Sequence, residues 1–83
     1  MKESQIQNKI IKHYEALGYY VIKLIKTNKS GIADLIAVKK NEIIFIEVKA
    51  EKGRLSELQK FRKKELEEKG ITVLVLKGVN DPF

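Results

Sequence analysis

The stretch that decides the fold is Gly31-Ile32-Ala33-Asp34-Leu35-Ile36-Ala37-Val38, then Lys39-Lys40-Asn41-Glu42, then Ile43-Ile44-Phe45-Ile46-Glu47-Val48-Lys49. Two strongly apolar runs flank a short polar turn, the pattern of a β-hairpin. Three charges interrupt those runs: Asp34 in the first, Glu47 and Lys49 in the second. A charge in an otherwise apolar strand is costly to bury unless it is paired or holds a metal. Side chains two apart in a strand share a face, so Glu47 and Lys49 point the same way, along with Ile43 and Phe45. On the partner strand Asp34 shares its face with Ile36 and Val38, while Ala33, Leu35 and Ala37 line the other. Whether Asp34 meets Glu47 depends on hairpin register, which the sequence leaves open.

Upstream of the hairpin, Glu3 to Leu17 suits a helix, with Ile6, Ile10, Tyr14 and Leu17 in one apolar stripe and Gly18 to end it. Ser4 and Gln7 have the spacing of a capping box, and Glu3 is a carboxylate favoured near the positive end of a helix dipole. Tyr19 to Ile25 is rich in β-branched and aromatic residues and predicts a strand. The polar loop Lys26-Thr27-Asn28-Lys29-Ser30-Gly31 then leads directly into the segment that carries Asp34.

Downstream, Ala50 to Arg54 is a charged connection, and Ser56 with Gln59 forms a capping box that opens a second helix. Its narrow inward face is expected at Leu55, Leu58, Phe61 and Leu66, with Glu65 or Arg62 beside them, and Gly70 ends it. Ile71 to Leu76 reads as a strand buried on both faces, and Lys77 to Phe83 as a tail holding the only proline. The order is helix, three strands, helix, strand. Short connections make the first three strands an antiparallel meander, and the second helix returns the last strand parallel to the third by a right-handed crossover. The expected fold is therefore α/β, a four-stranded mixed sheet flanked by helices.

Eighty-three residues bound the chain to one domain, residues 1–83. A hydrophobic share of 43% and a charged share of 34% fit a compact soluble chain rather than a disordered one. No apolar run nears the ~20 residues of a membrane helix, and no h-region follows Met1, so the expected location is cytoplasmic. The absence of cysteine excludes disulfides, thiolate metal sites and a cysteine nucleophile. His13 stands alone, so no histidine cluster points to zinc. The net charge of +6 favours a polyanionic partner, most simply nucleic acid, and no helix has the bulky apolar face that anionic membrane would require.

If Asp34 and Glu47 do face each other, two carboxylates a few ångströms apart repel at neutral pH, and a cation relieves the conflict. Mg²⁺ is the natural candidate, since it prefers oxygen ligands and is commonly held by one or two carboxylates plus substrate phosphate. Lys49 beside such a site can orient or deprotonate an attacking water, or stabilise the phosphate as negative charge builds. The plain alternative is a salt bridge from Lys49 to Glu47 or Asp34 with no chemistry attached. Lys26, Lys29 and Ser30 of the loop, with Lys52 and Arg54 after the hairpin, are the candidate nucleic-acid-binding residues.

Gly31-Ile32-Ala33-Asp34, with Glu47-Val48-Lys49 thirteen residues beyond the aspartate, resembles the G-x-x-D … E-x-K signature of the PD-(D/E)xK nuclease superfamily. More closely the chain resembles the stand-alone, phage-like VRR-NUC (virus-type replication-repair nuclease) domain. The resemblance reaches Glu3 with Gln7 in the first helix and Leu55-Ser56-x-x-Gln59 at the second. It departs only where Ala33 replaces the usual proline before the aspartate. The resemblance implies a restriction-endonuclease-like αβββαβ core. It also implies Asp34 and Glu47 as metal ligands, with the Val48 carbonyl as a third, and Lys49 acting on the attacking water. Glu3 would approach the metal from the first helix, and Gln59 would point into the site from the second, in competition with its capping role.

The implied reaction is phosphodiester hydrolysis by a Mg²⁺- or Mn²⁺-dependent endodeoxyribonuclease, located in the host-cell cytoplasm if the chain is phage-encoded. Branched DNA, a four-way junction or a flap, is the expected partner. A homodimer follows from the two symmetric cuts that a junction needs. The alternatives are a flap, nicking or restriction-like nuclease of the same chemistry, or a basic nucleic-acid-binding module without catalysis.

Overall fold

The elements follow one another as α1 (Glu3–Ala16), β1 (Tyr20–Lys23), β2 (Leu35–Lys39), β3 (Glu42–Lys49), α2 (Glu57–Glu68) and β4 (Thr72–Lys77), with a closing 3₁₀ turn at Gly78–Asn80. The structure is a computed structural model and describes residues 2–80 and 83. One sheet in the order β1-β2-β3-β4 holds all four strands, antiparallel except for the parallel pair β3 and β4. This is the expected mixed sheet. The hairpin turn is tighter than the sequence pattern indicates, because Lys39 already pairs with Glu42. Only Lys40 and Asn41 remain between the strands, and Asn41 takes φ +63°, a left-handed conformation that asparagine tolerates.

The core lies between α1 and one face of the sheet. Ile6, Ile10 and Tyr14, each four residues apart, pack against Leu35 and Ala37 of β2 and Ile44, Ile46 and Val48 of β3. Leu17 does not extend the stripe; the helix stops at Ala16, Leu17 becomes its C-cap and the side chain is exposed. The Ser4–Gln7 cap is also not formed. The helix starts two residues too early for it, with Lys2 rather than Ser4 as its N-cap, and the Lys2 N–H donates to Gln5 Oε1 instead (2.8 Å). Alternation along β3 then sends Phe45, Glu47 and Lys49 to the opposite face, the side on which α2 lies.

That second face is thinly covered. α2 is capped as expected, Ser56 Oγ accepting the Gln59 N–H (3.1 Å) and Gln59 Oε1 accepting the Ser56 N–H (2.9 Å). It buries no residue fully, and Leu58 and Phe61, expected to point inward, are exposed. Nor is β4 buried on both faces. It is the last strand of the sheet, with a partner on one side only, and Val73 is its one buried residue.

β1 is shorter than expected because the chain leaves the sheet after Leu24, and Ile25 projects into solvent. At the C-terminus the Tyr14 hydroxyl donates to the Phe83 carbonyl (3.4 Å), and the Phe83 ring lies edge-on to His13. His13 is consequently half-buried rather than a plain surface residue. Asp81 and Pro82 of the tail lie outside the described residues. Among the described residues, no helix is long and apolar enough to cross a membrane.

Candidate functional site

The register that the sequence leaves open is set by the pairing of Leu35 with Ile46. One step further along both strands puts Asp34 opposite Glu47. Asp34 sits just before β2 rather than within it, yet its main chain is fixed on both sides. Its N–H donates to the Ile46 carbonyl (3.1 Å) and its own carbonyl accepts the Leu24 N–H (2.8 Å). The side chain turns back onto β3, where Oδ2 accepts the Val48 N–H (2.8 Å).

Glu47 is 4% exposed, the one buried charged residue among the described residues, in an otherwise apolar core. Its Oε2 is buried with no hydrogen-bond partner among the described residues. Burial is the largest cause that pushes its pKa up, to about 8, followed by the hydrogen bond to Asp34 and by the Asp34 charge. Lys49 pulls it down and Glu3 adds a further push up. At neutral pH without a cation, Glu47 therefore holds a proton beside the Asp34 carboxyl. An orphaned buried oxygen destabilises the fold by roughly 1–3 kcal/mol. A cavity of about 10 Å³ borders it, shared with Gly31, Gln59, Arg62 and Lys63.

Lys49 shares the face of Glu47 and is half-buried. The salt bridge that would give these charges a purely structural role is not formed among the described residues. The ion pairs there are Lys60–Glu57, Arg62–Glu65 and Lys63–Glu67, all within α2. A turn closed by the Gly53 N–H on the Ala50 carbonyl (2.9 Å) passes close to the lysine, and a Cβ at Gly53 would come within 3.2 Å of Lys49 Cβ. Lys52 and Arg54 flank that turn and are exposed.

The remaining candidates divide. Gln59 lines the cavity beside Glu47, but its Oε1 is engaged in the cap, which leaves its amide Nε2 as the group available to the site. Glu3 is exposed in the first turn of α1, close enough to influence Glu47. It joins no ligand cluster: among the described residues no three His, Cys, Asp or Glu gather as a metal-binding group. Lys26, Lys29 and Ser30 are exposed and line an open groove whose far end is Asp34. Arg62, expected beside the inward face of α2, is there: its side chain is 20% exposed and borders the cavity beside Glu47. Its bond to the loop before Asp34 has no sequence signal, since only the fold brings the two together.

Gly31 enters this loop at φ +79°, and a Cβ there would lie 2.7 Å from Leu58 Cγ. Gly31→Ala should therefore destabilise the protein by roughly 1–3 kcal/mol, through backbone strain and collision with α2. Chemical denaturation followed by circular dichroism checks this. An unchanged midpoint contradicts it.

The residues present suit a hard divalent cation. Two adjoining carboxylates, one with an unsatisfied buried oxygen, leave the remaining positions to a carbonyl, waters or phosphate, which is how Mg²⁺ and Mn²⁺ are commonly held. A family model described as the VRR-NUC domain matches residues 1–80 of the 83. No curated protein matches the chain. The match spans the restriction-endonuclease-like αβββαβ frame together with Asp34, Glu47 and Lys49, and on it the chain belongs to the VRR-NUC domain family, a family of nucleases.

Proposed function

We propose that this protein is a divalent-metal-dependent endonuclease that hydrolyses DNA phosphodiester bonds, with a preference for branched DNA such as a four-way junction. The observation that carries the proposal is the unpartnered, buried Oε2 of Glu47 beside Asp34. Asp34 and Glu47, with the Val48 carbonyl, would hold Mg²⁺ or Mn²⁺. Such a cation neutralises the carboxylate pair and acts as a Lewis acid towards the phosphate and the attacking water. Glu47 would hold such a cation as the carboxylate, without its proton. Lys49, free of either carboxylate, directs its ammonium to the attacking water or to the charge that builds on the phosphate. Gln59 offers its Nε2 amide from α2. Lys26, Lys29 and Ser30 on one side, and Lys52 and Arg54 on the other, grip the phosphate backbone.

A homodimer fits the rest of the surface. The rows Tyr20–Val38–Ile43 and Ile22–Ile36–Phe45 run across the sheet on the face beside α2 and carry no charge. Tyr20 is 73% exposed, and Ile22 and Ile43 are exposed as well. Such a face offers no cation to a phosphate backbone, and it is where two chains of net charge +6 meet without opposing their lysines.

The test presents equal amounts of four-way junction, flap and linear duplex with Mg²⁺ or Mn²⁺, alongside a sedimentation mass. The expected result is preferential, paired cutting of the junction by a dimer. Preferential cutting of linear duplex removes the branched-DNA reading. Binding without cleavage under either cation removes the nuclease reading in favour of a binding module.

A further inference from the structure

We infer that Arg62 is the positioning residue of this site: its guanidinium ties the loop that precedes Asp34 to α2, and so sets where the Asp34 carboxylate stands. The inference rests on the reading of Asp34 and Glu47 as the metal-holding pair. Its physical basis is local. Arg62 Nε donates to the Ser30 carbonyl (2.8 Å), and its Nη1 donates to Glu65 Oε1 (2.8 Å), one helical turn further on. The guanidinium is thus held at two points, and its side chain is only 20% exposed.

The loop it holds has little else to hold it. Within Lys26–Ser30 the other hydrogen bonds are internal, Thr27 Oγ1 donating to the Lys29 carbonyl (2.8 Å) and accepting the Lys29 N–H (3.3 Å). Among the described residues, the Arg62 bond is the one that fastens this segment to another element. Immediately after it, Gly31 lies against Leu58 so closely that no Cβ fits. Arg62 and Leu58 therefore hold two successive residues of the loop against α2. Three residues later the chain must deliver Asp34 into its bonds with Leu24, Ile46 and Val48. A loop freed at Ser30 would leave that delivery to the packing of Gly31 on Leu58 and to the strands, with no hydrogen bond from α2.

A lysine is a poor replacement. An ammonium lacks the planar fork that reaches the carbonyl and the carboxylate together. The same tether also explains why an arginine whose charge is spent on Glu65 should matter to a site it does not join. Its effect reaches the carboxylate through the backbone, not through its field.

The Val48 amide is a reporter that needs neither metal nor DNA, because its bond is to the Asp34 carboxylate itself. Hydrogen exchange followed amide by amide in solution, on the metal-free chain, reads it directly. In Arg62→Ala the Val48 amide should exchange about tenfold faster, the loss of roughly one charge-assisted hydrogen bond, while the core amides of Ile44 and Ile46 keep their rates. Mn²⁺ titrated into the same variant should bind about tenfold more weakly. Arg62→Lys, the variant to use should Ala not fold, should move both readouts in the same direction.

An unchanged Val48 amide overturns the inference. So does a uniform rise at every amide, which would mark Arg62 as merely stabilising. The outcomes separate this inference from the nuclease reading. If wild-type protein binds no Mn²⁺ at Asp34, that reading fails whatever Arg62 does. If wild-type binds Mn²⁺ and Arg62→Ala binds it equally well with Val48 protected, only the role of Arg62 fails.

Discussion

Replacing Asp34 with Asn should leave a folded, DNA-binding protein whose metal-dependent cleavage falls by roughly a thousandfold or more. The fold survives because the asparagine oxygen can still accept the Val48 N–H that Asp34 Oδ2 accepts at 2.8 Å. The main-chain bonds to Leu24 and Ile46 are untouched by the change. What disappears is one of the two carboxylates that would hold the cation, and with it part of the electrostatic field in which phosphate chemistry would proceed. DNA binding persists, since the exposed Lys26, Lys29, Lys52 and Arg54 that would meet the phosphates are unaltered. Single-turnover cleavage beside a gel-shift titration measures the two separately. Loss of binding in parallel with loss of cleavage would show that Asp34 serves the fold rather than the chemistry.

Glu47 makes the second large effect, on stability rather than rate. Its pKa is about 8 in the folded chain against an ordinary 4.5, so the folded state holds a proton that the unfolded state releases. The stabilisation is complete below about pH 4.5, where both states are protonated, and is lost as pH rises through about 8. Metal-free protein should accordingly melt on the order of 10 °C lower at pH 9 than at pH 5. Glu47→Gln carries no such proton and should show a nearly flat profile over the same window. Tyr14 and Tyr19, whose hydroxyls are pushed above their ordinary 10, titrate beyond it and do not interfere. A divalent cation should reverse the trend and stabilise most at high pH, where no proton competes for the pair. Thermal melts in chelator and in Mn²⁺ across pH 5–9 test this, and an equal slope in Glu47→Gln refutes the assignment.

The hairpin and its three charges were legible in the sequence because a period of two places every side chain once the turn is fixed. The turn itself was less legible. Whether Lys39 pairs with Glu42 is a register choice, and the answer depends on Leu35 and Ile46 meeting under α1. α1 was readable from Ile6, Ile10 and Tyr14, but its ends were not, because Leu17 is apolar in type and solvent-facing in place. α2 misled in the same way. Leu58 and Phe61 have the spacing of an inward face, and yet both are exposed. The burial of Glu47 followed from its neighbours, whereas its unpartnered Oε2 required three dimensions. The inward placing of Arg62 was legible, but its tether was the hardest of all. Its partner Ser30 lies far away in sequence and contributes only a carbonyl, which every residue has.

The central claim is that Asp34 and Glu47 together hold a divalent cation. Crystals soaked in Mn²⁺ and measured at the manganese edge test it most directly. The account predicts an anomalous peak in contact with both carboxylates, absent from Asp34→Asn crystals soaked alongside. No peak at the pair under saturating Mn²⁺, or one that persists unchanged in Asp34→Asn, would contradict it.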